Sequence, residues 1–177
     1  MNRQYVLLAE FGRLWRSLAE WTRNYIVSCT GNLPDIEAVS ARLYRVPYEF
    51  ETRLTPFYGA VQAESFRRLL DAQIGLTQEL CEAVKAGDLN SVARINDELY
   101  RNADSLSRLC ECLNLCWNAA KWRCMLHEFL RLTENMLIER AAGRYAAEIE
   151  TYDALLRQAS LMGDYMACGI IRQFNIK

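Results

Sequence analysis

Apolar residues recur along the first long segment of the chain at alternating spacings of four and three. The positions are Leu7, Phe11, Leu14, Leu18, Trp21 and Tyr25. This spacing keeps one apolar stripe on a single helix face, where it can pack against a partner helix. We therefore predict a helix over residues 3–29.

Four later segments carry the same helical period, and no segment shows a sustained strand-like alternation of apolar and polar residues. They predict helices over 61–86, from Asp88 to near Asn114, from about 117 to near Gly143, and from Tyr145 to Ile170. Gly87 is placed to end the second helix and Asp88 to cap the third. The predicted fold is an all-α, up-and-down bundle of about five long helices, in a single domain spanning 1–177.

The connection between the first two predicted helices has a different composition. It contains all three prolines, Pro34, Pro47 and Pro56, and only a short helical pattern over 34–44. Proline interrupts helix interiors, so we predict a crossover connection with little further helix. Five aromatic residues of this segment are candidates to cover one end of the bundle: Tyr44, Tyr48, Phe50, Phe57 and Tyr58.

The second and third predicted helices align with the fourth and fifth without a gap. The aligned pairs, at a constant offset of 56, include Phe66 with Trp122, Leu69 with Met125, Leu76 with Leu132, Thr77 with Thr133, Gly87 with Gly143 and Ala103 with Ala159. The first helix matches the same pattern at an offset of 55. The alignment predicts an internal helical-hairpin repeat, with chance similarity between amphipathic helices as the alternative.

Composition and charge restrict the class of protein. Mean hydropathy is -0.13, and the first 30 residues carry several charged side chains, so we expect neither a secretion signal nor a membrane-spanning helix. The net charge of -1 and the pI near 5.9 disfavour a nucleic-acid partner. We expect a cytoplasmic protein that needs no cofactor to fold.

Seven cysteines are spread through the helical patterns, and an odd number without an export signal indicates reduced thiols. Four of them fall close together: Cys110, Cys112, Cys116 and Cys124. Their spacing includes no Cys-x2-Cys pair, so small apolar packing is favoured over a metal site. A thiol-based redox sensor is a third interpretation of this group.

The repeat aligns one inward-facing position from each of three helices. These positions hold Leu18, Gln73 and Phe129, which we take as the candidate ligand-binding residues. Leucine and phenylalanine side chains cannot ligate a cation, so we predict no metal there. We expect Gln73 to hydrogen-bond a buried side chain or a water.

Catalytic chemistry has few candidate residues. The one histidine, His127, lies about 200° around its helix from Phe129 and is expected to be a surface or interhelical residue. No carboxylate forms a Glu-x-x-His pair, which disfavours a di-iron site. Arginine and acidic residues interspersed along the helices predict surface ion pairs that are individually weak. We predict no catalytic residue.

Several short motifs together resemble a family of uncharacterised bacterial helical-bundle proteins. They are Trp21-Thr22-Arg23, Leu33-Pro34-Asp35, Pro56-Phe57-Tyr58-Gly59, Ala86-Gly87-Asp88, Asn102-Ala103-Asp104, Leu130-Arg131-Leu132-Thr133 and the run from Gly169 to Phe174. Some members of that family carry the label acetylglutamate kinase. The chain lacks the α/β pattern and the glycine-rich phosphate loop which such a kinase needs.

The resemblance also implies a distant likeness to DinB-type bundles with a three-histidine metal centre. The family pattern has histidine where this chain has Leu18, Gln73 and Phe129. The chain departs from that pattern at all three positions, so the resemblance implies a lost metal site.

Two functional hypotheses follow. The preferred one is a non-enzymatic bundle that acts through protein contacts, as a homodimer burying exposed aromatic residues such as those between residues 44 and 58. The alternative is a small-ligand or metal-binding bundle with Gln73, tyrosines and thiols around a central cavity. Self-association or a bound metal would distinguish the two.

Overall fold

The computed structural model describes residues 3–177, and helix is its only regular secondary structure. The helices are α1 (Arg3–Gly31), α2 (Ile36–Leu43), α3 (Arg45–Tyr58), α4 (Ala60–Ala86), α5 (Leu89–Leu113), α6 (Ala119–Ala141) and α7 (Tyr145–Gln173). Five of them are long, with 23 to 29 residues each. The predicted all-α bundle of about five long helices is confirmed.

The predicted boundary between α4 and α5 is confirmed residue by residue. Gly87 has a φ of 69° and lies in the left-handed region, where its amide reaches the last carbonyls of α4. A residue with a Cβ would be strained in that conformation. Asp88 then caps α5, because its side chain accepts a hydrogen bond from the Ser91 backbone amide at 3.1 Å.

The connection after α1 contains more helix than predicted. It forms α2 and also α3, which holds both Pro47 and Pro56. Pro47 is the third residue of α3, where its missing amide hydrogen would have had no partner within the helix. Pro56 lies in the last turn of α3, just before the helix ends at Gly59. Proline in the first turn costs little, whereas Pro56 removes one backbone hydrogen bond from the last turn, and α3 forms in spite of it. The expectation of little further helix was wrong.

Three helices meet in the middle of the bundle. Helices α1, α4 and α6 contact one another, while α5 packs against both α4 and α6. Helix α7 packs against α6 and most extensively against α1, and α2 with α3 covers α1 and α4. The close α1–α7 contact depends on glycine, since a Cβ at Gly163 would lie 2.5 Å from the Gly12 Cα.

Trp15 of α1 lies at the centre of the core. Its ring centroid is 5.1 Å from that of Phe50, 5.8 Å from Trp122, and 6.4 Å from both Phe66 and Phe129. Edge-to-face pairs among such rings add stability beyond the area they bury. Helices α1, α3, α4 and α6 are thereby joined around one side chain, and the buried residues of all seven helices form one core.

The α4–α5 and α6–α7 hairpins share equivalent hydrogen bonds. Asn102 Nδ2 of α5 donates to the Leu69 carbonyl of α4 at 2.9 Å. At the offset of 56, Gln158 Nε2 of α7 donates to the Met125 carbonyl of α6 at 2.8 Å. Each bond ties the second helix of a hairpin to the backbone of the first.

None of the helices within residues 3–177 is long and apolar enough to cross a membrane.

Candidate functional site

The three residues singled out by the sequence lie in the core. Leu18, Gln73 and Phe129 are 1%, 4% and 1% exposed, on the three mutually contacting helices α1, α4 and α6. Phe129 packs against Trp15, so aromatic side chains occupy the space beside it. None of the three residues lines any of five open surface grooves between the helices.

Gln73 is the polar member of this set, and its amide oxygen is buried without a hydrogen-bond donor among residues 3–177. The backbone carbonyl of Gln73 is satisfied, because it also accepts from Thr77 Oγ1 at 2.8 Å. At the equivalent place in α6, Thr133 Oγ1 donates to the Phe129 carbonyl at 2.9 Å. An unpaired buried amide oxygen destabilises the folded state. The Gln73 position of α4 differs in this respect from the aligned Phe129 position of α6, where the side chain is apolar.

A polar pair joins α5 to α6 at the surface. His127 Nε2 lies 2.8 Å from Asp104 Oδ1, and both side chains are about one-third exposed. His127 is therefore an interhelical residue, as its position on α6 indicates. Asp104 supplies the orienting partner that no neighbour in sequence offers, since the two residues are 23 positions apart. With Nε2 held by Asp104, Nδ1 is the ring nitrogen left for a further partner.

Tyr100 and Glu134 extend this pair along the interface. The Tyr100 ring meets the His127 ring edge to face, with centroids 4.8 Å apart. The Tyr100 hydroxyl and the Glu134 carboxylate influence each other electrostatically, and Glu134 Oε1 is buried without a hydrogen-bond partner among residues 3–177. Burial raises the pKa of Glu134 above its ordinary value, and burial together with the Glu134 charge raises the pKa of Tyr100. Perturbed groups of this kind gather at functional sites more often than elsewhere.

Two grooves flank the Asp104–His127 contact, and we name them together the α5–α6 groove. The larger has a volume of about 540 Å³ and the smaller about 170 Å³, and Arg123 lines both. The other lining residues of the larger part are Tyr100, Cys124, His127, Glu128 and Arg131, and those of the smaller part are Asp104, Ser107, Arg108, Ala119 and Ala120.

The arginines of the α5–α6 groove differ in their partners. Arg131 is neutralised by Glu128, which accepts two hydrogen bonds from it at 2.7 and 2.8 Å. Arg108 donates to the neutral Ser105 hydroxyl at 3.1 Å. Arg123 is exposed and forms no ion pair with any residue from 3 to 177. The groove therefore presents guanidinium groups beside an oriented imidazole, an arrangement that suits a carboxylate or a phosphate.

A second charged cluster is buried between α1, α6 and α7, and sequence reasoning missed it. Glu148 is 0% exposed and accepts two hydrogen bonds from Arg23, at 2.6 and 3.2 Å. Arg140 Nη1 lies 3.6 Å from Glu148 Oε2. Ion pairs do lie on the outer faces as predicted, for example between Arg94 and Glu98, but the buried pair at Glu148 was not predicted. Arginine and glutamate 125 positions apart give no local signal of such a pair.

The cysteines between 110 and 124 occupy two environments. Cys110 is buried, and burial raises the pKa of its thiol well above the ordinary range. Cys112, Cys116 and Cys124 are exposed. Within the described part of the chain, no three His, Cys, Asp or Glu side chains are grouped closely enough to hold a metal ion.

The aromatic residues of the connection are less exposed than expected. Phe50 is part of the core, and Phe57 packs against Phe174 with ring centroids 5.3 Å apart. Tyr58 accepts a hydrogen bond from Asn114 Nδ2 at 2.7 Å and packs against Trp117. Tyr48 alone among the five is more than half exposed, and Tyr44 is half-buried. This segment therefore closes one side and one end of the bundle more than it offers a free aromatic surface.

The comparisons with known proteins give no information about the site. No protein-family model matches the chain, and neither a curated protein nor a solved structure matches it. The resemblance to bacterial helical-bundle proteins with a DinB-like metal centre therefore stays a prediction.

Proposed function

We propose that the chain is a small-ligand-binding helical bundle and that it takes a small anion in the α5–α6 groove. The observation that supports this proposal is Arg123, an exposed guanidinium that no carboxylate within residues 3–177 pairs with, in a groove that also holds the oriented His127. A carboxylate or phosphate placed there would replace solvent as the partner of Arg123. Charge-assisted hydrogen bonds to such groups are about twice as strong as neutral ones.

The groove differs from the central site expected from the sequence. A ligand between α5 and α6 would contact His127 and Arg123, whereas Leu18, Gln73 and Phe129 lie deeper, in the core. We also include a ligand at that deeper level, because the Gln73 amide oxygen has no hydrogen-bond partner in the described part of the chain. The surface groove is preferred, since its polar groups are reached without opening the core.

Nuclear magnetic resonance titration with inorganic phosphate tests the groove. We expect saturable shifts of the His127 ring and of backbone amides on α5 and α6, and about a tenfold weaker affinity for Arg123→Ala. The control is Arg94→Ala, because Arg94 is an exposed α5 arginine already paired with Glu98 at 2.7 Å. Equal weakening in both variants, or shifts that do not saturate, would overturn the proposal. Acetate as a second probe separates carboxylate from phosphate preference.

Self-association is the second candidate function. Three large apolar residues near the α6–α7 turn are about half exposed: Ile138 at 49%, Tyr145 at 56% and Ile149 at 50%. Tyr145 and Ile149 are one helical turn apart and share a face. We propose that a homodimer forms through this end of the hairpin, in place of the connection aromatics.

Light scattering and sedimentation velocity at high micromolar concentration test the dimer. We expect Ile149→Glu to shift the protein to monomer, while Val61→Glu leaves the mass unchanged, because Val61 is exposed at the start of α4. A wild-type protein that is monomeric throughout would refute self-association without touching the groove.

We also propose that the α4–α5 and α6–α7 hairpins are copies of one internal repeat, and that the protein works in the cytoplasm. The equivalent Asn102 and Gln158 hydrogen bonds support the repeat. All seven cysteines are free thiols, which suits a reducing compartment.

A further inference from the structure

Tyr25 of α1 is the most deeply buried tyrosine of the described chain, at 7% exposed, and its hydroxyl has no hydrogen-bond partner among residues 3–177. A buried tyrosine hydroxyl normally finds such a partner. Tyr58 is less buried, yet its hydroxyl accepts from Asn114 Nδ2 at 2.7 Å. The Tyr165 hydroxyl likewise accepts from the Asn118 backbone amide at 2.9 Å. The Tyr25 hydroxyl is therefore free to bond a molecule from outside the chain.

Tyr25 lines a surface groove of about 640 Å³, which we name the Tyr25 groove. Tyr44, which follows α2, lines it as well, together with residues of the α4–α5 hairpin. Gly75, Ala83 and Ala86 of α4 are among these residues, and their short side chains leave room in the groove. Small-molecule sites in proteins commonly have volumes of about 300 to 1,000 Å³. The Tyr25 groove is therefore large enough for a small organic ligand.

Carboxylates dominate the charge of the Tyr25 groove. Glu79 and Glu82 of α4 line it together with Asp88, and the one cationic side chain in the lining is Arg94 of α5. Arg94 is already paired with Glu98, at 2.7 Å. The groove therefore carries an excess of negative charge, which attracts cations and repels anions.

The three carboxylates of the Tyr25 groove differ in their partners. Asp88 caps α5 and accepts from the backbone amide and the hydroxyl of Ser91, at 3.1 and 2.6 Å. Glu82 Oε2 lies 3.5 Å from Lys85 Nζ. Glu79 forms no ion pair or hydrogen bond with any residue from 3 to 177. Glu79 is therefore the carboxylate with both oxygens available to a ligand.

We propose that the Tyr25 groove binds a small organic cation that carries a primary ammonium group. The ammonium donates to the Glu79 carboxylate and to the Tyr25 hydroxyl oxygen, and Glu82 adds negative charge beside them. A primary ammonium has three N–H donors, and its hydrogen bonds to carboxylates are charge-assisted. Burial chiefly raises the pKa of Tyr25, so its hydroxyl is neutral near pH 7. The Tyr25 groove shares no lining residue with the α5–α6 groove, so either site can fail alone.

Isothermal titration calorimetry of the full chain with putrescine, a linear four-carbon diamine, tests the proposal at constant ionic strength. We expect saturable binding of putrescine and none of butanediol, which has the same carbon chain without the charges. Glu79→Gln should weaken putrescine binding by about tenfold, because it removes the negative charge and keeps the side-chain shape. The control is Glu150→Gln, since Glu150 is an exposed carboxylate of α7 outside the Tyr25 groove.

Tyr25→Phe removes the hydroxyl and keeps the ring, so it should weaken putrescine binding by about fivefold. Its control is Tyr5→Phe, as Tyr5 is 68% exposed near the start of α1. Far-ultraviolet circular dichroism checks the fold of each variant, and the exposed Glu79→Gln decides the outcome if Tyr25→Phe misfolds. The proposal is overturned if putrescine does not saturate the protein at about 10 mM, or if butanediol binds as tightly. It is also overturned if Glu79→Gln and Glu150→Gln weaken binding alike. Unchanged binding in a folded Tyr25→Phe overturns the role of the Tyr25 hydroxyl.

Discussion

The two long hairpins, α4–α5 and α6–α7, share the hydrogen bonds that join their helices but differ in their buried charged residues. In each, an amide side chain of the second helix donates to a carbonyl of the first, from Asn102 to Leu69 and from Gln158 to Met125. Each also has a buried threonine that donates to the carbonyl one turn earlier. The contacts that set the packing of the hairpins are therefore shared.

The chemistry-bearing positions differ between the hairpins. At the offset of 56, Val92 of α5 corresponds to the buried Glu148 of α7, and Gln78 of α4 corresponds to Glu134 of α6. Gln78 is neutral and donates to Ser40 Oγ at 2.8 Å, whereas Glu134 is a carboxylate with one buried oxygen that has no hydrogen-bond partner among residues 3–177. The α6–α7 hairpin therefore carries buried charge at positions where α4–α5 carries neutral groups.

The largest effect is expected at Glu148. Glu148→Ala leaves Arg23 and Arg140 without their shared carboxylate, so we expect the free energy of unfolding to fall by about 3 kcal/mol. The equivalent Val92→Ala should cost less than about 1 kcal/mol, since Val92 is partly exposed. Urea unfolding followed by circular dichroism measures both. Similar losses in the two variants would show that the buried charge does not distinguish the hairpins.

We expect the side-chain amide hydrogen bonds of Asn102 and Gln158 to contribute equally to the free energy of unfolding. Asn102→Ala and Gln158→Ala should each lower the free energy of unfolding by about 1 kcal/mol, because each leaves one carbonyl with a lost donor. Gln62→Ala is the control, as Gln62 is exposed on α4. If one variant is neutral while the other is destabilising, the two bonds are not equivalent parts of a repeat.

We expect the protein to become more stable when Gln73 of α4 is replaced by an apolar side chain, as α6 has at Phe129. Gln73→Met removes a buried amide oxygen that has no hydrogen-bond partner within residues 3–177 and keeps the side-chain length, so we expect the free energy of unfolding to rise by about 1 kcal/mol. Thermal and urea unfolding provide the measurement, with Gln62→Met as the surface control. A loss of stability instead would mean that the Gln73 amide has a partner, such as a bound molecule.

The smallest effect concerns the pH dependence of stability. Burial raises the folded-state pKa of Glu134 above its unfolded value, so the protonated acid favours the folded state. That contribution is present below the unfolded pKa and is lost as pH rises through the folded pKa. Glu134→Gln copies Gln78 of α4 and should flatten the decline of stability as pH rises from the ordinary glutamate pKa. Urea midpoints measured across that pH interval, for both proteins, provide the check.

Local sequence signals predicted the helices well and the sites poorly. The left-handed Gly87 and the Asp88 cap lie where their residue types indicated, because caps depend on neighbours within one helical turn. Helix α3 was missed because proline disfavours a helix beyond its first turn, and the sequence did not show that Pro47 lies in that turn or that α3 continues through Pro56. Positions of prolines relative to helix ends depend on packing that a short window does not contain.

The three candidate ligand-binding residues also show what the helical period predicts and what it does not. Leu18, Gln73 and Phe129 are all buried on mutually contacting helices, as the shared period indicates. The period alone did not indicate that Trp15 and its neighbouring rings would fill the adjacent core or that the accessible grooves would lie between outer helices.

What the sequence determined by itself is the existence and approximate length of each long helix, because those follow from spacing and capping within a few residues. The buried face of α7 was not among these, since Tyr145 and Ile149 are half exposed while Glu148 is buried. The tertiary structure alone decided that His127 meets Asp104, that Arg23 meets Glu148, and that Cys29 meets Glu82. Each of these pairs joins different helices. The physical reason is that an apolar stripe determines that a helix must pack, while the choice of neighbour depends on how all seven helices fill one core together.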